Sequence, residues 1–183
     1  MQTLPPPPIK IMFKIVYLGG KQAGLIGLLT AVSFGCEVKA VVPRDSIVGD
    51  MARKLKYPIY DSVKQEEVKD ILYGVDLLIS VHSKELVPAE ILNITGLGGI
   101  NVHPCLYKYK GLHPISRFLA GDTSSASVGV HYMVEAVDCG EVIRGIFVDI
   151  NKSKTNTVAE VYNILYPIYA TVLFEALEIL EGR

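Results

Sequence analysis

Three residues of this 183-residue chain carry side chains suited to chemistry at a carbonyl group. Asn101 and His103 are separated by one valine, and Pro104 follows the histidine. An amide N–H beside an imidazole can stabilise an oxyanion and move a proton. Asp138, in a Val-Asp-Cys-Gly segment, is the best choice for a carboxylate that orients the imidazole. We call Asn101, His103 and Asp138 the trio.

The catalytic interpretation of the trio predicts a shift in the pKa of His103, and the same motif also has a simpler, non-catalytic interpretation. Pairing with Asp138 is expected to raise the pKa of His103 above its ordinary value of about 6.5. The alternative is that Asn101 and His103 only cap backbone groups at the end of a strand, since Asn-x-His-Pro is a short motif.

The elements that must position the trio follow from hydrophobic periodicity. A strand over residues 99–102 would point Asn101 and His103 to the same side at its carboxyl end, because strand side chains alternate. Strands are predicted at 11–18, 37–42, 59–60, 76–81 and 99–102, and helices at 23–34, 45–56, 63–73, 88–93 and from 156 or 157 onward.

Alternating strands and helices indicate the fold class. They predict right-handed βαβ units and therefore an α/β fold with a doubly wound, mostly parallel twisted sheet. The β-rich runs 127–134 and 141–150 predict antiparallel strands near the C-terminal end. In such a sheet, ligands gather beyond the carboxyl ends of the strands.

Composition limits the class of protein. With 50% hydrophobic residues and a net charge of −1, the chain is expected to form one domain over residues 11–183, after a flexible proline-rich tail at 1–10. No basic stripe favours a nucleic-acid partner, and no membrane association is expected. Three widely spaced cysteines and no zinc-ligand spacing predict reduced thiols, no metal and a cytoplasmic location.

Two nucleotide-binding motifs and a thiol nucleophile are disfavoured. Lys21 occupies the middle glycine position of a dinucleotide fingerprint, and Gln22 follows Gly20-Lys21 where a P-loop needs Ser or Thr. Cys105 follows a proline and has no evident oxyanion partner of its own.

The other histidines receive weaker interpretations. His82 and His113 are expected near the cleft as auxiliary residues, and His131 is expected to be a satisfied histidine within a strand.

An ordered series of segments resembles the folate-dependent formyltransferase superfamily, which includes glycinamide ribonucleotide, methionyl-tRNA and nucleotide-sugar formyltransferases. The matching segments are DLLISVHSKELVPAEIL at 76–92, GGINVHPCLYKYKGLHPISRFLAGD at 98–122, SVGVHYM at 127–133 and VDCGEVI at 137–143. The last two are most similar to the nucleotide-sugar enzymes. The loop 106–109 is one residue shorter than usual, and Ser127 and Gly129 replace a common Gly and Thr.

The resemblance implies transfer of a formyl group from 10-formyltetrahydrofolate to a primary amine, with the trio as catalytic residues and no metal. A non-catalytic module of the same fold that senses a folate or a sugar nucleotide is an alternative of a different class, which the intact trio disfavours. The resemblance places the pterin in an apolar slot between residues 83–87 and 134–138, contacted partly through backbone groups. The cofactor-binding residues implied are Ser83, Lys84, Leu86, Val87, Val134 and Val137.

The acceptor is expected to be a small, phosphate-bearing amine, best interpreted as a nucleotide-linked amino sugar. Glycinamide ribonucleotide is the alternative; transfer RNA is disfavoured because the chain ends at Arg183, before the additional domain that those enzymes use. The predicted acceptor-binding residues, of which the last three could equally be solvated loop residues, are Gly19, Gly20, Tyr107, Tyr109 and Lys110. Tyrosines on the closing helix could bury against a second subunit, which would make a homodimer.

Overall fold

The computed structural model of the protein describes residues 13–182, so the predicted tail at 1–10 lies outside the described residues. The strands within this range are β1 (Lys14–Gly19), β2 (Glu37–Pro43), β3 (Leu77–Val81), β4 (Gly99–Pro104), β5 (Ser125–Tyr132) and β6 (Val142–Asp149). The helices are α1 (Lys21–Phe34), α2 (Ser46–Lys54), α3 (Glu66–Leu72), α4 (Ala89–Leu92), α5 (Pro114–Ala120) and α6 (Val158–Glu181).

The described strands form one sheet in the order β2-β1-β3-β4-β5-β6. The pairs β1–β2, β1–β3 and β3–β4 are parallel, whereas β4–β5 and β5–β6 are antiparallel. The predicted α/β fold, mostly parallel with antiparallel strands near the C-terminal end, is confirmed. The predicted strand at 59–60 is reduced to one bridge between Ile59 and Val41, and α5 was not predicted.

Apolar packing covers both faces of the sheet. All five residues of β3 (LLISV) are buried, which is typical of a parallel strand between two layers of helices. One face packs on α1 and α6 around Ile79 and Ile100, and the other packs on α3 and α4 around Leu78. The burial of alternate strand residues in opposite layers fixes the register of each strand.

Helix α6 is the longest helix among the described residues and closes the first of these layers. A capping box begins it: the Glu160 N–H donates to Thr157 Oγ1, and the Glu160 carboxylate accepts from the Thr157 N–H. The helix continues through Pro167. By length and composition alone α6 could also cross a membrane, a test that core helices pass too, and here its buried side packs on α1, β5 and β6.

Two helix glycines predict opposite effects of an added methyl group. A Cβ at Gly24 would lie 2.9 Å from the Gly19 carbonyl carbon and 3.1 Å from the Val81 carbonyl oxygen, and backbone atoms cannot yield. We expect Gly24→Ala to lower the free energy of unfolding by about 1–3 kcal/mol. Gly49→Ala, whose nearest neighbour would be Pro43 at 3.6 Å, should raise it by up to about 1 kcal/mol.

Urea denaturation of both variants measures this difference. Equal stability of the two alanine variants would contradict the tight contact of α1 with the ends of β1 and β3.

Candidate active site

A cavity of about 1030 Å³ lies where the carboxyl ends of β3 and β4 meet the loop between β5 and β6. All three members of the trio line it, together with His82, His113 and His131. The position agrees with the general rule for ligands in open α/β sheets.

The structure brings the trio together from two distant segments. His103 Nε2 lies 3.0 Å from Asp138 Oδ2, and Asn101 Nδ2 donates to Asp138 Oδ1 at 3.3 Å. Asn101 and His103 are on the same face of β4, as strand alternation predicts, and the loop that carries Asp138 covers that face. The carboxylate therefore contacts both other members of the trio.

Asp138 has two further partners that sequence reasoning did not identify. The backbone N–H of Gly111 donates to Oδ2 at 2.7 Å, and His131 Nε2 lies 3.4 Å from Oδ1. Only 7% of the Asp138 side chain is exposed. Burial alone would raise the pKa of this carboxyl, but the contacts from His131, His103 and Gly111 outweigh it and hold the pKa below its ordinary value. Asp138 is therefore ionised at neutral pH.

His103 has a defined tautomer in this arrangement. Its Nε2 faces two acceptors, Asp138 Oδ2 and the Gly111 carbonyl oxygen at 3.2 Å, so Nε2 carries the proton of the neutral ring. Nδ1 is then left with its lone pair and has no hydrogen-bond partner among the described residues. A neutral imidazole with one free lone pair can accept a proton.

The expectation that Asp138 raises the pKa of His103 above its ordinary value is wrong. Burial of the ring lowers the pKa of His103, and the opposing effects of Asp138 and the Gly111 carbonyl do not fully compensate. The physical reason is that burial destabilises the imidazolium by more free energy than the Asp138 carboxylate restores, since that carboxylate also contacts other groups.

His131 is buried within β5, as expected, but it also contributes to the site. Its Nδ1 donates to the Tyr132 carbonyl oxygen at 2.8 Å, which turns Nε2 towards Asp138 Oδ1 and Asn101 Nδ2, each 3.4 Å away. The antiparallel register pairs His131 directly with Asn101. Alternation in SVGVHYM, with Val128 and Val130 facing the core, is the sequence signal that could have identified it.

Left-handed backbone conformations at non-glycine residues concentrate around this cavity. Six described non-glycine residues have positive φ, and four of them line the cavity: Lys21, His82, His113 and Asp138. A fifth, Cys105, follows the cavity residue Pro104. Each such conformation costs about 1–3 kcal/mol, and such residues cluster at functional sites.

The structure brings all six predicted cofactor-binding residues to the cavity, beside the trio. They are Ser83, Lys84, Leu86, Val87, Val134 and Val137. Leu86 is 68% exposed and Val137 is 52% exposed, so this end of the cavity presents apolar side chains to solvent. An apolar slot of this kind can take a flat heterocycle, which fits the pterin that the family resemblance implies.

A carboxylate outside the cavity holds the segment that carries Leu86. Glu85 accepts hydrogen bonds from the Ser62 hydroxyl at 2.5 Å and from the Val63 N–H at 3.1 Å. This contact ties residues 83–87 to the turn before α3 and fixes one wall of the slot.

The predicted acceptor-binding residues lie elsewhere. Tyr107 packs against Phe147 of β6 with ring centroids 4.7 Å apart and ring planes inclined by 35°, and the Lys110 carbonyl accepts from Arg117. Tyr109 lies within cation–π distance of Arg117. These three residues, like Gly19 and Gly20, are not among the residues that line the cavity, and their assignment to the acceptor stays a prediction.

Residues that were not predicted to bind the acceptor line the cavity instead. Lys21 lines it from the start of α1 and Arg44 from the loop after β2, and Tyr162 and Tyr169 line it from α6. Sequence reasoning missed Arg44 and Tyr169 because neither belongs to a motif, and their convergence depends on the order of the strands.

Fold and site together define a doubly wound α/β protein whose amide, imidazole and carboxylate meet in a cavity at the edge of the sheet. A family model described as formyl transferase matches residues 22–177. The chain therefore belongs to the formyl transferase family, and the predicted superfamily is confirmed.

Curated relatives include two methionyl-tRNA formyltransferases. The protein from Clostridioides difficile (strain 630) is 28% identical over 185 residues, which cover 92% of this chain and 59% of the relative. The protein from Staphylococcus aureus (strain Newman) is 27% identical over 188 residues, covering 93% and 60%. The chain thus spans about three fifths of the length of these relatives.

Solved structures show the same fold. Glycinamide ribonucleotide transformylase 1 from Symbiobacterium toebii superposes with a TM-score of 0.79 at 21% identity, covering 93% of this chain and 88% of that one. A formyltetrahydrofolate deformylase from Pseudomonas putida KT2440 gives a TM-score of 0.72 at 20% identity, covering 93% and 65%.

The contact between Asp138 and His103 predicts the direction of a titration shift. Asp138→Asn keeps a side chain that tolerates the left-handed backbone at this position but removes the negative charge. Because that charge favours the imidazolium, the pKa of His103, already below its ordinary value, should fall further in the variant.

NMR titration of the His103 ring in the wild-type protein and in Asp138→Asn measures the shift. A wild-type pKa above the ordinary value, or a rise in the variant, would contradict the assigned balance of burial and charge.

Proposed function

We propose that this protein transfers a formyl group from 10-formyltetrahydrofolate to a primary amine, with Asn101, His103 and Asp138 as its catalytic residues. The observation that carries the proposal is the convergence of these three side chains in one cavity whose other end is apolar. Membership of the formyl transferase family supports the same reaction.

The folate supplies the formyl carbon, and the protein must stabilise the charge that develops on the formyl oxygen as the amine attacks. The Asn101 amide is the donor best suited to this task, because its contacts with Asp138 and His131 are 3.3 and 3.4 Å long and therefore weak. One of its N–H groups can turn to the substrate oxygen at little cost. Such a donor typically contributes about a hundred- to a thousandfold in rate.

His103 and Asp138 handle the proton that the amine loses. His103 is proposed to accept this proton at Nδ1, which is buried and unpartnered in the free protein, and the ionised Asp138 beside Nε2 stabilises the imidazolium that results. The protonated Nδ1 can later donate to the formyl oxygen or to the folate nitrogen that leaves. His131 and Gly111 position the carboxylate without touching the substrate in this scheme.

The apolar residues Leu86, Val87, Val134 and Val137 are proposed to hold the pterin. Val87 is buried, but Leu86, Val134 and Val137 are exposed at the cavity, and unpartnered apolar surface beside a polar site favours a flat heterocyclic ligand. Backbone groups of both segments, with Ser83 and Lys84, would provide the polar contacts.

The acceptor is proposed to be a small amine that bears phosphate, with a nucleotide-linked amino sugar as first choice and glycinamide ribonucleotide as the alternative. The relatives described above are named methionyl-tRNA formyltransferases, so methionyl-tRNA is the third acceptor to be tested. A cytoplasmic location and a homodimer are further parts of the proposal that stay predictions.

The assignment of the trio predicts the effect of two substitutions. Asn101→Ala and His103→Ala should each lower kcat/KM for formyl transfer by at least about a hundredfold, because one removes the oxyanion donor and the other the proton acceptor. Neither side chain is part of the apolar core, so both variants should stay folded. Asn163→Ala, an exposed change on α6, is the matched control and should leave the rate unchanged.

Formation of tetrahydrofolate from 10-formyltetrahydrofolate, followed with a panel of the three acceptor classes, measures these rates. Near-normal activity of His103→Ala would refute its role. Binding of the folate without turnover on any acceptor would favour a non-catalytic module.

A further inference from the structure

One glycine contacts two members of the trio through its backbone. The Gly111 N–H donates to Asp138 Oδ2 at 2.7 Å, and the Gly111 carbonyl oxygen lies 3.2 Å from His103 Nε2. Asp138 Oδ2 and His103 Nε2 are themselves 3.0 Å apart, so the three groups contact one another in a closed triangle. Whatever fixes the orientation of the peptide groups at Gly111 therefore also helps to fix the imidazole and the carboxylate.

The backbone around Gly111 has little support of its own. In the described part of the chain, residues 110–112 form no backbone–backbone hydrogen bond. The turn just before them is closed, because the Lys108 and Tyr109 N–H groups donate to the Cys105 carbonyl oxygen at 3.2 and 2.8 Å. The peptide groups on both sides of Gly111 thus depend on side chains for their hydrogen bonds.

Glycine makes this segment easy to reorient. Gly111 has a φ of +78°, and a Cβ at this position would meet nothing within 4 Å, so the residue is needed for its backbone conformation and not for lack of space. Because glycine adopts φ values of either sign, the peptide group before it can rotate with little steric opposition. Such a rotation would turn the Gly111 N–H away from Asp138 and deprive a buried carboxylate of one donor.

Arg117 supplies the support that the backbone lacks. Its guanidinium donates to the Lys110 carbonyl oxygen, which belongs to the same peptide group as the Gly111 N–H. In a trans peptide group the C=O and the N–H point in opposite directions, so a donor that holds the oxygen also directs the N–H to Asp138 on the other side. The guanidinium polarises the peptide group as well, which strengthens its N–H as a donor.

The helix that carries Arg117 is firmly anchored. Ile115 and Phe118 of α5 are buried in the core, and Lys152 donates to the Phe118 and Gly121 carbonyl oxygens at the carboxyl end of the helix. Among residues 13–182, no carboxylate forms an ion pair with Arg117. The guanidinium is therefore mounted on a fixed element and is free to hold the loop.

We propose that Arg117 is a positioning residue for formyl transfer, which holds the peptide group before Gly111 in the orientation that directs its N–H to Asp138. Arg117 does not line the cavity, so it acts without touching either substrate. Its effect passes through one peptide group to the carboxylate, and from the carboxylate to His103. This inference rests on the proposed function, since it adds a residue to the same catalytic machinery.

NMR of the free protein tests the contact without any substrate. An amide proton that is donated to a carboxylate resonates downfield, so the Gly111 amide proton should move upfield in Arg117→Met. Its hydrogen exchange should become about tenfold faster, because a hydrogen bond to a charged group is weakened. Methionine keeps most of the apolar stem and removes the donors and the charge. Because Arg117 is exposed, the variant should stay folded.

Lys108→Met is the matched control. Lys108 is an exposed cation in the same loop, and its Nζ lies 5.8 Å from the centroid of the Tyr109 ring, as the Arg117 guanidinium carbon does. Lys108 pairs with the Asp122 carboxylate and not with the peptide group in question. The control should leave the Gly111 amide unchanged. An unchanged Gly111 amide in Arg117→Met, or an equal change in both variants, overturns the proposal.

Titration of Asp138 gives a second readout. The Gly111 N–H is one of the contacts that hold the pKa of Asp138 below its ordinary value, because it stabilises the ionised carboxylate. Arg117→Met should therefore raise the pKa of Asp138, and Lys108→Met should not. Carbon-13 NMR titration of the Asp138 carboxyl carbon measures the shift, and an unchanged or lower pKa in Arg117→Met would contradict the proposed role.

Kinetics connects the contact to the reaction. In Arg117→Met, kcat for formyl transfer should fall about tenfold, because the carboxylate is held less firmly. KM for 10-formyltetrahydrofolate should stay unchanged, since Arg117 does not line the cavity. A normal kcat in Arg117→Met, with or without a raised KM, would refute the positioning role alone. A wild-type protein that formylates no acceptor would refute the proposed function, and the NMR measurements would then still decide whether Arg117 holds the peptide group.

Discussion

A buried carboxylate is the constraint on which the site depends. Asp138 is ionised while almost fully removed from solvent, and an unpaired charge in that position would be very costly. Donors from β4 and the loop before α5 therefore contact its two oxygens, namely Asn101, His103 and the Gly111 N–H, and the His131 ring of β5 lies 3.4 Å from Oδ1. The contacts that compensate this charge also hold the catalytic side chains in place, so the same hydrogen bonds stabilise the fold and position the trio.

The change from parallel to antiparallel pairing at β4 makes this arrangement possible. The parallel half brings Lys21, His82 and His103 to one edge, because all carboxyl ends meet there. The antiparallel partner β5 then places His131 opposite Asn101 and leads into the loop that returns with Asp138. A fully parallel sheet would separate the carboxylate from the imidazole by a long crossover connection.

Much of this could be predicted from the sequence because the signals are local. Alternation along β4 places Asn101 and His103 on one face. The slot at residues 83–87 and 134–138 was implied only by the resemblance to the formyltransferase superfamily, and no local pattern predicts it. The pKa of His103 could not be predicted, since its direction depends on the balance of burial against a carboxylate shared with His131 and Gly111. The contact of Tyr107 with Phe147 of β6 could not be predicted either, because it depends on how the loop after β4 packs on a strand that follows much later in the chain. Arg44 reaches the cavity only because β2 lies beside β1.

The left-handed residues around the cavity have a consequence for how this protein can change. Substitution of Lys21, His82 or His113 by glycine would relieve the strain of the left-handed backbone, but it would also remove a side chain that lines the cavity. Thermostabilising the fold and preserving its selectivity are thus opposed within the same few loops. Directed evolution towards heat resistance has its free choices at exposed positions that do not line the cavity, such as those of α3 and β6.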